Sequence, residues 1–235
     1  MDRMVTVIWR VGIVIAVHTW LASGVAWAGP LHQAAYQGRL ETVKKLVAAT
    51  KDQINEADGF GSTPLHHAAM GGRAEVMAWL IANGASVDAR DSGGYTPLVL
   101  ALRGGKVEAA KILVKAGADV RVLDNLGGGV LASAAYLGDA DLVEMVLDHG
   151  GDVNQANQLG LTPLHMATLA NAKSVMKILL GHGADPNARD KSGETVLNKV
   201  KDEEARNLLW KNGARLEKNR DDALVEPTAP KGAEE

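Results

Sequence analysis

From residue 31 onward the chain is a succession of short apolar runs separated by polar turns that carry glycine. Trp79-Leu80-Ile81, Ile112-Leu113-Val114, Val146-Leu147, Ile178-Leu179-Leu180 and Leu208-Leu209-Trp210 each lead into a closing pair, Gly84-Ala85, Gly117-Ala118, Gly150-Gly151, Gly183-Ala184 and Gly213-Ala214. An apolar run of helical period that ends in glycine predicts a helix stopped by a left-handed cap, because glycine enters that backbone region without a Cβ penalty. Ahead of these helices stands a second signature. Thr63-Pro64-Leu65-His66 returns as Thr96-Pro97-Leu98-Val99, Gly129-Val130-Leu131-Ala132, Thr162-Pro163-Leu164-His165 and Thr195-Val196-Leu197-Asn198, at a spacing of 33 residues. Threonine supplies a capping hydroxyl, and proline follows where its missing N–H costs nothing, so each signature predicts a helix start. Each unit thus reads as a turn, a short helix and a second helix, and a fixed period of this length means stacked units.

The register gives six units: 29–57, 58–90, 91–123, 124–156, 157–189 and 190–216. Leu31-His32-Gln33-Ala34-Ala35 matches Leu65-His66-His67-Ala68-Ala69 at a spacing of 34, which places one extra residue near Thr50-Lys51-Asp52. Gly213 follows Gly183 by only 30, which predicts that the last unit has lost three residues between its helices. End units of a stack are expected to be atypical, since one face meets water. Lys44, Lys45, Lys201, Asp202, Glu203 and Glu204 suit that capping role.

The unit and its Thr-Pro-Leu-His motif resemble the ankyrin repeat over residues 29–216. The resemblance implies an all-α solenoid of stacked helix-turn-helix units joined by short β-hairpin-like turns. It also implies a displayed surface with no reaction centre and no cofactor. In ankyrin repeats the variable contact positions lie in the turn before the Thr-Pro pair and at the end of the first helix, on the concave side. Here the turn positions hold Phe60, Tyr95, Leu126, Leu159 and Leu161. The helix ends hold Tyr36, Met70, Arg103, Tyr136, Leu137 and Leu169. Together these predict an apolar and aromatic stripe with one arginine, the composition that protein interfaces enrich. The competing expectation is that some, Leu159 and Leu161 above all, pack finger against finger. Trp79 and Trp210 lie on second helices and read as core or capping residues.

Residues 1–28 are of another kind. Arg3 and Arg10 flank a short start, Val11 to Val17 is apolar, and Ala26-Trp27-Ala28 is an A-x-A site, a pattern that predicts a secretory signal peptide cleaved after Ala28. The alternative is an uncleaved inner-membrane anchor, because no charged residue occurs from Val11 to Gln37. Either expectation puts the repeats outside the cytoplasm, most simply in a bacterial periplasm or secreted, with membrane contact only if the leader stays. The chain has no cysteine, which excludes disulfides and thiolate chemistry. Without the leader, Lys+Arg falls from 25 to 23 and Asp+Glu from 28 to 27, a formal charge of −4 that gives no reason to expect nucleic acid. Residues 217–235 are polar and contain proline, and they predict a disordered tail.

The candidate chemistry is mostly absorbed by the register. His32, His66 and His165 share the motif position after leucine, where the resemblance implies a brace between neighbouring turns. His149 and His182 precede the closing glycine at a helix C-terminus, which favours a partly cationic ring. His67 has no such slot. Asp58, Asp91, Asp124, Asn157 and Asp190 each start a turn and are expected to accept its N–H groups. Asp139, Asp141 and Glu144 read as a solvated acidic face. Gly127-Gly128-Gly129 replaces the Thr-Pro start of the fourth unit and predicts a weaker cap there. No phosphate loop, nucleophile elbow or zinc-hydrolase motif is present. The expectation is therefore a module that binds another protein and is not an enzyme. Bacterial periplasmic ankyrin proteins are similar in layout, some linked to peroxide protection alongside catalase and others to immunity against secreted toxins. The other expectations are a membrane-tethered scaffold of an envelope complex and a metal carrier or enzyme using His66 and His67.

Overall fold

The Thr-Pro signatures open helices in the computed structural model, which describes residues 29–49, 51–124 and 127–215. First helices are α1 Pro30–Gln37, α3 Pro64–Gly71, α5 Pro97–Arg103, α7 Val130–Leu137, α9 Pro163–Leu169 and α11 Val196–Lys199. Second helices are α2 Leu40–Ala49, α4 Ala74–Ala82, α6 Val107–Lys115, α8 Ala140–Asp148, α10 Lys173–Gly181 and α12 Glu203–Lys211. First helices stack on first helices and second on second, so the described residues form two helical layers. Leu65, Leu98 and Leu164 from the first layer and Leu80, Leu113, Leu142, Leu179 and Leu209 from the second are fully buried. Burying a leucine of this kind contributes about 1.5–3 kcal/mol, so the core rests on one in-register leucine after another.

The starts and stops have the predicted chemistry. The Thr96 hydroxyl accepts the Val99 N–H at 3.4 Å, and Thr162 accepts that of His165 at 3.5 Å. Gly129 caps α7 with no side chain at all. At the closing pairs Gly84, Gly117, Gly150, Gly183 and Gly213 have φ between 85° and 95°. The next N–H returns to the helix, Ala85 to the Leu80 carbonyl at 2.9 Å and Ala214 to that of Leu209 at 3.0 Å, which satisfies otherwise orphaned carbonyls. Gly151 has no room for a side chain, because a Cβ would lie 2.8 Å from Val146 Cγ1 and 2.9 Å from the Val146 carbonyl oxygen.

Both ends depart from the regular unit. The extra residue of the first unit is taken up in a 3-10 helix, Lys51–Asn55. In the last unit the deletion falls on the first helix itself and not between the helices: α11 has 4 residues where α3 has 8. The leader, Ala28 and the tail lie outside the described residues. No helix among the described residues is long and apolar enough to cross a membrane.

The units are joined by hairpin-like fingers at 55–63, 88–96, 121–129 (described except for 125 and 126), 154–162 and 187–195. Each turns on its expected Asp or Asn. Asp58 Oδ1 accepts the N–H groups of Phe60 and Ser62 at 2.8 and 3.0 Å, and Asn157 Oδ1 those of Leu159 and Leu161 at 2.9 and 3.0 Å. Pairing across a finger is limited to single bridges such as Leu123 with Gly129, so no strand forms among the described residues.

Candidate protein-binding surface

Tyr36, Met70, Arg103, Tyr136 and Leu169 hold the same register position on α1, α3, α5, α7 and α9, and stacking of these helices sets them in one column. The column opens toward its C-terminal end. Tyr36, Met70 and Arg103 are half-buried, whereas Tyr136 is 38% and Leu169 49% exposed. The finger tips add Phe60 at 44% and Leu159 at 59%. Backbone bonds between tips hold both in place: the Phe60 carbonyl accepts the Ser92 N–H, and the Leu159 carbonyl that of Lys191, each at 2.9 Å. An apolar surface on rigid fingers loses little entropy when it binds.

Other expected contact residues are less open. Tyr95 departs from the expectation of an open groove residue: its ring is half-buried against the core, and the Arg103 guanidinium stacks over it at 4.8 Å from the centroid. That cation–π contact fixes the one arginine of the stripe. Leu137 also packs against the core, Leu161 is half-buried, and Leu126 lies outside the described residues. Leu123, 46% exposed, was not expected at the surface. Its only signal is leucine at a register position that holds Ala57, Arg90, Ala156 and Arg189 in the other fingers.

The histidines brace the fingers. His66 Nδ1 accepts the Thr63 N–H at 3.0 Å, which leaves the proton on Nε2 to donate to the Tyr95 carbonyl at 3.0 Å. His165 Nδ1 accepts from Thr162 in the same way at 3.2 Å. Its Nε2 is buried with no partner within hydrogen-bond distance among the described residues, though the Glu194 carbonyl beyond it still favours a proton there. His67, which had no slot in the register, does have a structural one. Its Nε2 donates to Asp58 Oδ2 at 2.8 Å, with both side chains almost wholly buried. The His32 ring stands edge-on to it at 5.3 Å. Burial pushes the imidazoles of His66, His67 and His165 below their usual range, against the opposing pull of their hydrogen-bond partners. Burial would raise the Asp58 carboxyl, but the bonds from His67, Phe60 and Ser62 together hold it below its usual range. These groups spend their hydrogen bonds on the turn, and no group of three or more His, Cys, Asp or Glu among the described residues could hold a metal ion.

The acidic run on α8 is not merely solvated. Asp139 Oδ1 caps the helix through the Leu142 N–H at 2.8 Å and pairs with Lys111 of α6 at 2.9 Å, with Asp141 joining at 3.3 Å. Lys173 of α10 reaches Asp202 and Glu204 likewise, at 3.0 and 2.6 Å. Such pairs tie second helices across units.

A family described as ankyrin repeats (3 copies) matches the chain at residues 31–124, 105–190 and 131–220. Among solved structures, the chain is 31% identical to an ankyrin repeat domain from Acinetobacter baumannii AYE, covering 79% of this chain and 98% of that one with a TM-score of 0.71. It is 30% identical to a chain in the structure of a predatory endopeptidase from Bdellovibrio bacteriovorus in complex with an immunity protein, covering 78% of this chain and 98% of that one, TM-score 0.70. The palmitoyltransferase akr1 of Schizosaccharomyces pombe is 41% identical over 61 residues, 26% of this chain and only 10% of that protein.

Proposed function

Because this chain belongs to the ankyrin-repeat family, whose members bind protein partners, we propose that it is a non-catalytic binding module of the periplasm. It grips another protein with the concave column and the finger tips. The observation that carries this reading is the exposed apolar set of Phe60 and Leu159 on the finger tips and Tyr136 and Leu169 at the ends of α7 and α9. Exposed apolar groups clustered on one face of a soluble fold mark contact sites. The leader pattern at residues 1–28 supports export, with cleavage after Ala28. Likeness to a chain of an endopeptidase–immunity protein complex favours immunity, by capture of a secreted peptidase, over peroxide protection.

Affinity capture from the envelope fraction tests the reading, with wild type and the Tyr136→Ala/Leu169→Ala double variant compared at equal thermal stability. The expected result is one protein retained by wild type and lost by the variant. Equal retention by both, or none by either, overturns the groove as the binding surface. The run from Val11 to Gln37 without a charge supports a second reading, a tethered scaffold. The mass of the purified protein decides it, since a tethered chain keeps its first 28 residues.

A further inference from the structure

Neighbouring fingers are tied at one register position by a side-chain ladder. Asn55 Nδ2 donates to the Gly84 carbonyl at 3.0 Å while its Oδ1 accepts the Ser86 N–H at 2.7 Å. Asn154 does the same with Gly183 and Asp185 at 3.1 and 2.9 Å, and Asn187 with Gly213 and Arg215, both at 2.9 Å. Three primary carboxamides thus each bridge a carbonyl and an N–H two residues apart. Asp88 has an acceptor but no donor at this position, and it holds only the Asp119 N–H, at 3.0 Å.

The third finger breaks the ladder. Arg121 stands at the asparagine position and turns back toward Asp119 just before its finger, its Nε 3.2 Å from Asp119 Oδ1 and its side chain 76% exposed. The Gly150 carbonyl and the Asp152 N–H, which an asparagine there would bridge, have no hydrogen-bond partner among the described residues. The second brace is missing at the same junction, where Ala132 replaces the histidine of the motif and Gly129 its threonine. A cleft of about 250 Å³ opens where these side chains are lacking, lined by Arg121, Leu123, Gly129, Ala132, Gly150 and Asp152.

We propose that this cleft between the third and fourth fingers binds a primary carboxamide, supplied by an asparagine or glutamine side chain of the protein partner. Only the source of the carboxamide rests on the protein-binding reading; the slot itself follows from the ladder. A primary carboxamide presents its donor and acceptor side by side, as the three asparagines do. A trans secondary amide points them apart, and a carboxylate lacks the donor that the Gly150 carbonyl requires. A carboxylate would also meet the acidic side chain of Asp152, which lines the cleft. Leu123 at the lip offers apolar contact to the methylenes that carry the amide.

The test is a titration of the 15N-labelled full chain with acetamide, N-methylacetamide and acetate, followed through the backbone amide of Asp152. Acetamide is expected to shift that resonance saturably, and the other two to leave it in place. Arg121→Asn supplies the carboxamide internally, so it should abolish the acetamide response and raise Tm by about 2 to 4 °C, the size of one added brace in a domain of this length. An Asp152 resonance unmoved by acetamide, moved equally by all three probes, or still responsive in Arg121→Asn overturns the slot. The probes need no protein partner, so failure to capture one leaves a positive titration standing, and a silent titration leaves the groove standing.

Discussion

His66, His67 and His165 set the acid limit of this protein, because each is buried neutral and would have to be charged against that burial. Their folded pKa values lie below the unfolded value of about 6.5. Protonation therefore favours the unfolded chain: stability is full above about pH 6.5 and falls as pH drops below it. The midpoint of urea unfolding should decrease from pH 7 to pH 5, and a flat profile would contradict the neutral braces. His67→Ala leaves the Asp58 carboxylate, which is fully buried, without its ring donor. It should cost about 3 kcal/mol in urea unfolding, as expected for a buried charge deprived of a partner. At the surface the effect is smaller. Tyr136→Ala and Leu169→Ala should change stability by no more than about 0.5 kcal/mol, because both side chains already face water. Tyr95→Ala should lower Tm, since its ring packs against the core under Arg103. Both were expected on the contact surface, Tyr95 from a turn and Tyr136 from a helix end, and the local pattern does not show that one packs against the core while the other stays open.

The helices were legible because their signals are local: a threonine cap, a proline, an apolar run and a closing glycine lie within one unit. Leu113→Ala on α6 and Leu179→Ala on α10 each remove a fully buried side chain and should cost about 2–5 kcal/mol through cavity formation. The closing turns carry a less obvious expectation. Ala85, Ala118, Ala184 and Ala214 occupy four of them, yet Gly151→Ala in the fifth should destabilise, because its Cβ would collide with Val146. A rise in Tm for that variant would show that the turn relaxes to the geometry of the others. The shortened α11 shows where local signals stop. The sequence contained the deletion, but its spacing alone does not say whether it fell on a helix or on the loop.

Among the described residues each unit packs mainly on its neighbours, so stability is set junction by junction. The junction of the third and fourth fingers lacks both the asparagine and the histidine brace, while the first and second fingers have both. Hydrogen exchange should therefore be faster at Asp152 than at the equivalent Ser86 and Asp185, whose N–H groups are held by Asn55 and Asn154. Equal protection would mean that the stack is uniformly coupled. The sequence by itself determined the repeat, its phase, the starts and stops of the helices and the turn chemistry, since each of these is written within a single unit of 33 residues. Only the tertiary structure decided which in-register side chains are spent between units. It buried His67 on Asp58, drew Tyr95 onto the core, exposed Leu123 and left Gly150 and Asp152 unbridged. Those outcomes depend on the distance to the next unit, and a residue's neighbour across a junction is about thirty positions away in the chain and so does not appear in its local pattern.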